Sequence, residues 1–241
     1  MTQIEIPPRA EGSQRLHGYL ARPAGDGPWP GVVLVHEVWG LDGEMRKHAD
    51  RLARSGYLTL APDLYSQGGA RWCLAATLAA MSSGKGKAFA DIEAARTWLA
   101  ASDDCTGRVG AIGFCMGGGF VLLTVHTMAA VSANYGMLPR KPDEAMAGAC
   151  PVLASYGARD RMLRGAPGKL SDALERAGVV HDVEVYPNAG HSFLNEEESG
   201  PRWLRPLLRA SHSGPEPESA ALEWRRIEAF FAEHLGADGT P

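Results

Sequence analysis

The chain has 241 residues, of which 45% are hydrophobic and 22% charged. That is enough to bury one sizeable core and fits a single α/β domain, expected to span residues 1–241. A formal net charge of −4, with Lys and Arg dispersed rather than striped, argues against nucleic acid or an anionic membrane surface as a partner.

The first residues, Met1-Thr2-Gln3-Ile4-Glu5-Ile6-Pro7, carry neither a basic stretch nor a long apolar run, and no window reaches the length of a membrane span. A signal peptide and an anchor are therefore not expected. The cysteines Cys73, Cys105, Cys115 and Cys150 form no C-x-x-C pair. This argues against a zinc ribbon, a thioredoxin-type site and a disulfide framework, so no metal is expected and a reducing cytoplasm is the expected compartment.

In chain order, His17 to Ala21 reads as an early strand with a turn at Gly25-Asp26-Gly27-Pro28. Gly31 to Val35 is a continuous apolar, β-branched run, the pattern of a parallel strand buried on both faces. Asp42 is placed to cap a helix whose Met45, Ala49, Leu52 and Ala53 form one face and which Gly56 stops. Tyr57 to Ala61 is the next strand. From Ser66 to Lys87 the pattern is weak, with a short helix between glycine-containing flanks, in a loop of the kind that often covers a site.

Phe89, Ile92, Ala95 and Leu99 then mark a helical face, and Val109 to Ile112 a strand. A helix-like run follows from Gly118 to His126. Strands are expected within 129–133, 149–156 and 179–186, a helix over 167–177, and a last helix with Trp224, Ile227, Phe231 and Leu235 on one side. This alternation predicts an α/β fold with a mostly parallel central sheet and helices on both faces.

Between the strand at Val109 and the helix that follows stands Gly113-Phe114-Cys115-Met116-Gly117. It is a variant of the G-x-S-x-G turn that presents a nucleophile at a strand's end, with cysteine in place of serine. A thiolate is the stronger nucleophile and forms more readily, so the substitution is chemically sound. Such a nucleophile needs a base and an acid to orient it, in the order nucleophile, acid, histidine. Asp160, after the strand ending at Tyr156, and His191, after the strand ending at Tyr186, fill that order. Both fall on the sheet edge where α/β proteins gather their ligands. His36-Glu37 does not open a zinc H-E-x-x-H motif, because Gly40 stands where the second histidine belongs.

These segments, together with His36-Glu37-Val38-Trp39-Gly40, Ala61-Pro62-Asp63-Leu64-Tyr65 and Gly190-His191-Ser192-Phe193, resemble the dienelactone hydrolase (carboxymethylenebutenolidase) family of the α/β-hydrolase superfamily, from about Gly18 to the last helix. The resemblance implies a cofactor-free hydrolase of small carboxylic esters or lactones. Cys115 would be the nucleophile, His191 the base, Asp160 its orienting acid, and the backbone N–H groups of Val38 and Met116 the oxyanion hole. It further implies that Glu37 contacts the resting thiol and releases it when substrate binds.

Trp39, Phe114, Tyr135 and Phe193 are expected to line the pocket. The family holds its substrate's carboxylate with two arginines. Asn195 stands at one of those positions and Arg71 is the counterpart of the other, with Arg202 and Arg205 as further entrants from the loop beyond Asn195. Losing a forked cation at Asn195 puts dienelactone itself in question as the substrate. The expected partner is thus a small ester or lactone, met by a monomer or small homo-oligomer. The alternative is a non-catalytic descendant that binds a metabolite or senses oxidants through Cys115.

Overall fold

The computed structural model describes residues 2–236, without the side chains of residues 70–72 and 82. Eight strands make one sheet in the order β1-β2-β4-β3-β5-β6-β7-β8. These are β1 (Thr2–Ile6), β2 (Leu16–Ala21), β3 (Trp29–Val35), β4 (Leu58–Pro62), β5 (Cys105–Phe114), β6 (Val131–Asn134), β7 (Val152–Gly157) and β8 (His181–Tyr186). β2 runs antiparallel to both β1 and β4, and every other pairing is parallel. Helices fill the connections: α1 (Gly43–Arg54), α2 (Ala70–Ser83), α3 (Lys87–Ala100), α4 (Met116–Leu122), α5 (Pro142–Met146), α6 (Ala166–Arg176), α7 (Arg205–Ala210) and α8 (Pro217–Leu235).

Consecutive strand residues point to opposite faces, yet Val32, Val33, Leu34 and Val35 are all fully buried. Both faces of the sheet's centre are therefore covered, as the unbroken apolar run required. Helix α1 is capped as expected, Asp42 Oδ1 accepting from the Met45 N–H at 3.1 Å, and it buries Met45, Ala49, Leu52 and Ala53. Helix α8 buries Trp224, Ile227, Phe231 and Leu235. The sheet's outer strand β8 exposes Asp182 and Glu184, charges that discourage edge pairing with another chain.

The structure departs from the sequence-based expectations in four places. β1 pairs in register with β2 from Thr2↔Leu20 to Ile6↔Leu16, although its residues looked only like an unremarkable terminus. α2 runs for 14 residues where a short helix was expected. α4 stops at Leu122, short of His126. Two short helices, α5 and α7, stand in segments where no element was expected. Because β3, β5, β6, β7 and β8 are mutually parallel, the loops after their C-terminal ends converge on one edge of the sheet.

Candidate active site

Cys115 sits between β5 and α4 with φ of 53°, a positive-φ conformation that costs a non-glycine residue about 1–3 kcal/mol and persists only where surrounding structure enforces it. Here the enforcement is steric. A Cβ on Gly117 would lie 2.0 Å from the Val35 carbonyl oxygen, so only glycine lets the first turn of α4 pack onto the end of β3. The Cys115 N–H is held by the Asn134 carbonyl of β6 at 3.0 Å. Among the described residues, the amide N–H groups of Val38 and Met116 have no hydrogen-bond acceptor. The second of these opens helix α4, where the unpaired donors of a first turn carry partial positive charge.

His191 and Asp160 meet across the loops that follow β8 and β7. The His191 Nδ1–H donates to Asp160 Oδ2 at 2.6 Å. The other carboxylate oxygen, Oδ1, accepts from the Met162 N–H at 2.9 Å, which fixes the acid from its own turn. The loop carrying the histidine is tied down by a Gly214 N–H to His191 carbonyl bond of 2.8 Å. Gly190 makes this possible, since a Cβ there would stand 1.6 Å from the His212 carbonyl oxygen. Burial works against a charged ring at His191. The Asp160 hydrogen bond and the nearby Cys115 sulfur outweigh it, and the pKa rises to about 10. His191 Nε2 is buried and, among the described residues, has no hydrogen-bond partner of good geometry, and Cys115 and His191 line the same cavity.

Glu37 is 2% exposed and engaged by neutral donors. Ser192 Oγ donates to its Oε1 at 2.9 Å and Asn195 Nδ2 to its Oε2 at 3.3 Å. Behind Asn195, its Oδ1 pairs with His48 Nε2 at 3.1 Å. Burial drives the His48 pKa down to about 4, so the ring is neutral and its N–H fixes which way the amide faces. Burial also pushes the Glu37 carboxyl above its ordinary range, although His191, Ser192 and Asn195 favour the charged form. His36 braces the same loop: its Nε2 accepts from the Leu64 N–H at 3.1 Å, which leaves Nδ1–H to donate to the Glu37 carbonyl at 2.7 Å. Tyr135, fully buried and at φ of 41°, lies tilted against the His191 ring with the centroids 5.2 Å apart. Burial first, then Glu37 and Cys115, hold its hydroxyl protonated well above the usual range.

The cavity at this edge encloses about 620 Å³, and Glu37, Val38, Trp39, Met116 and Tyr135 join Cys115 and His191 along its wall. Three expected pocket residues lie elsewhere. Phe114 is fully buried with its ring stacked on His48. Phe193 is fully buried between Tyr135 and Tyr186, and Asn195 faces Glu37 and His48 from behind the wall. For the last two the reason is local: Ser192 adopts φ of 57°, which swings the chain after His191 back into the core. Arg202 and Arg205 do not line the cavity either, and Arg205 borders a separate groove beside Glu197 and Glu198. The Arg71 side chain lies outside the described residues. Sequence reasoning missed Ser192 and His48 as members of the Glu37 network, and Met81, Met137, Met162, Arg164 and Lys169 as cavity lining. Only Ser192 had a signal, as the neighbour of the motif histidine.

An eight-stranded, mostly parallel sheet with a Cys-His-Asp cluster at its C-terminal edge is the architecture of an α/β-hydrolase. The model of the dienelactone hydrolase family matches residues 16–235. A chain of Salmonella typhimurium named "putative carboxymethylenebutenolidase" is 31% identical, over 93% of this chain and 85% of the relative. One of Methylorubrum extorquens with the same name is 30% identical, over 91% and 77%. Among solved structures, a putative dienelactone hydrolase of Klebsiella pneumoniae superposes with a TM-score of 0.76 at 30% identity, covering 96% of this chain and 98% of that one. A dienelactone hydrolase-like promiscuous phosphotriesterase from metagenomic libraries gives 0.79 at 25%, covering 98% and 99%. The chain belongs to the dienelactone hydrolase family, and with it to the hydrolases of carboxylic esters and lactones. Among the described residues no helix is long and apolar enough to cross a membrane.

Proposed function

We propose that the protein hydrolyses small carboxylic esters or lactones through a thioester on Cys115. The observation that carries this reading is the 2.6 Å Asp160–His191 contact, which occupies Nδ1 and leaves Nε2, without a hydrogen bond of good geometry among the described residues, on a ring that lines the same cavity as Cys115. An environment that favours the imidazolium draws the thiol proton to Nε2. The sulfur then attacks the carbonyl carbon, and the tetrahedral oxyanion rests on the N–H groups of Val38 and Met116. Collapse breaks the C–O bond, His191 returns the proton to the departing alcohol, and the acyl group remains on sulfur. A water deprotonated by His191 attacks the thioester, and the thiol is regenerated with release of the acid.

Glu37, in this reading, gates the thiol. Glu37 lines the same cavity as Cys115, and in this reading substrate binding displaces its carboxylate and leaves the sulfur free to turn toward His191. The protein is read further as one domain, cytoplasmic, acting as a monomer or small homo-oligomer on a small-molecule substrate. Stopped-flow hydrolysis of p-nitrophenyl acetate tests the proposal. A burst of one p-nitrophenolate per chain followed by steady turnover, both lost in Cys115→Ala, is the expected outcome. Stoichiometric labelling of Cys115 by oxidants with no ester turnover would favour the sensing alternative.

A further inference from the structure

The wall of the catalytic cavity is more apolar than a small lactone requires. Leu78, Met81, Met137, Leu138, Met162 and Leu163 form much of it. Three of these stand in solvent at its mouth, Leu78 at 37%, Met137 at 50% and Met162 at 73% exposure. Large side chains left in water around a cavity mark a surface that gains by being covered. Methionine suits such a wall because its unbranched thioether adapts to chains of varied shape.

The second feature is charge. Arg164 and Lys169 line the same cavity, both exposed. Among the described residues neither forms an ion pair or a side-chain hydrogen bond. Among the described residues the only acid on the cavity wall is Glu37, which is buried and already satisfied by Ser192 and Asn195. Two unneutralised cations therefore face a cavity in a chain whose net charge is −4. They sit on one short segment, running from the turn after Asp160 into the first turn of α6, that also contributes Met162 and Leu163. The position where the family resemblance places a carboxylate-binding arginine holds Asn195, which faces away from the cavity. Among the described residues, Arg164 and Lys169 are the cations on the wall that can meet an anion entering here.

We infer, resting on the hydrolase reading above, that the preferred substrate is an ester of an elongated apolar acid carrying an anionic group at the end far from the scissile carbonyl. The apolar body lies against the methionine and leucine wall, and the anion is held at the mouth by Arg164 and Lys169. The acyl half is assigned to this wall because it stays bound through both chemical steps, whereas the alcohol leaves after the first.

The test compares p-nitrophenyl esters of acetate, butanoate and octanoate with the mono-p-nitrophenyl ester of octanedioate. In the wild type, kcat/KM should rise roughly two- to fourfold per methylene buried. The octanedioate monoester should exceed the octanoate ester by about tenfold at low salt. That preference should appear chiefly in KM, shrink in about 1 M salt, and fall to near one in Arg164→Gln/Lys169→Gln. Isothermal titration of octanedioate against octanoate gives a readout independent of turnover, with the dianion binding tighter to the wild type. Turnover of acetate with no gain from chain length or from the distal charge would overturn the inference and leave the hydrolase reading intact. Failure to turn over any of the four esters would overturn both.

Discussion

Replacing Asp160 with asparagine removes the charge from the shortest contact in the cluster and keeps its shape. In the wild type, the His191 pKa stands at about 10 against an ordinary 6.5. A folded-state pKa above the unfolded value stabilises the native protein fully below pH 6.5, progressively less as pH rises, and not at all above about 10. At about 1.36 kcal/mol per pH unit, the whole rise amounts to about 5 kcal/mol. Asp160 and Cys115 share it, so Asp160→Asn should lose about 2–4 kcal/mol near pH 6. Urea unfolding of both proteins at pH 6, 8 and 10 measures this, and the gap between them should close toward pH 10. Activity should fall by about 10⁴-fold, because the amide can donate to Nδ1 and force the proton onto Nε2, where it blocks acceptance from the thiol. A stability gap unchanged between pH 6 and 10, or activity within tenfold of wild type, would refute the reasoning.

Three further outcomes follow from the geometry. Gly117→Ala places a methyl 2.0 Å from the Val35 carbonyl oxygen, and overpacking of this kind against backbone should cost about 3 kcal/mol or more with loss of activity, read by thermal unfolding. An unchanged melting temperature would mean that the turn is looser than described. Glu37→Gln should keep the fold, and should raise the rate at which iodoacetamide alkylates Cys115 without substrate; an unaltered rate would remove the gating role. Asn195→Leu leaves Glu37 Oε2 and the His48 N–H without their partner and should destabilise by about 1–3 kcal/mol, seen as a lower urea midpoint with an unchanged slope.

How far the sequence disclosed this molecule depended on whether a feature is local. Gly113-Phe114-Cys115-Met116-Gly117 was legible because its glycines answer a steric need of the turn itself. Asp160 and His191 were legible because a residue just past a parallel strand falls on one edge wherever the rest of the chain goes. The β3 run of valines announced its own burial on both faces. Phe193 and Asn195 misled because a single positive-φ residue, Ser192, turned them inward, and a serine gives no sign of that conformation. Arg164, Lys169 and Met162 were invisible as cavity residues, since which side chain of a loop faces a cavity is decided by the packing of distant elements. α2 was underestimated because its apolar residues lack a clear helical period, and β1 because five residues acquire strand character only once β2 is beside them.

The central claim is a covalent acyl group on one sulfur. Intact-mass spectrometry after rapid acid quench of the enzyme with p-nitrophenyl octanoate tests it most directly, with peptide mapping to locate the adduct. The account predicts a species heavier by one octanoyl group, carried by Cys115, decaying at the rate of steady turnover and missing from Cys115→Ala. Hydrolysis that proceeds without such a species in the wild type, or that survives in Cys115→Ala, would contradict it.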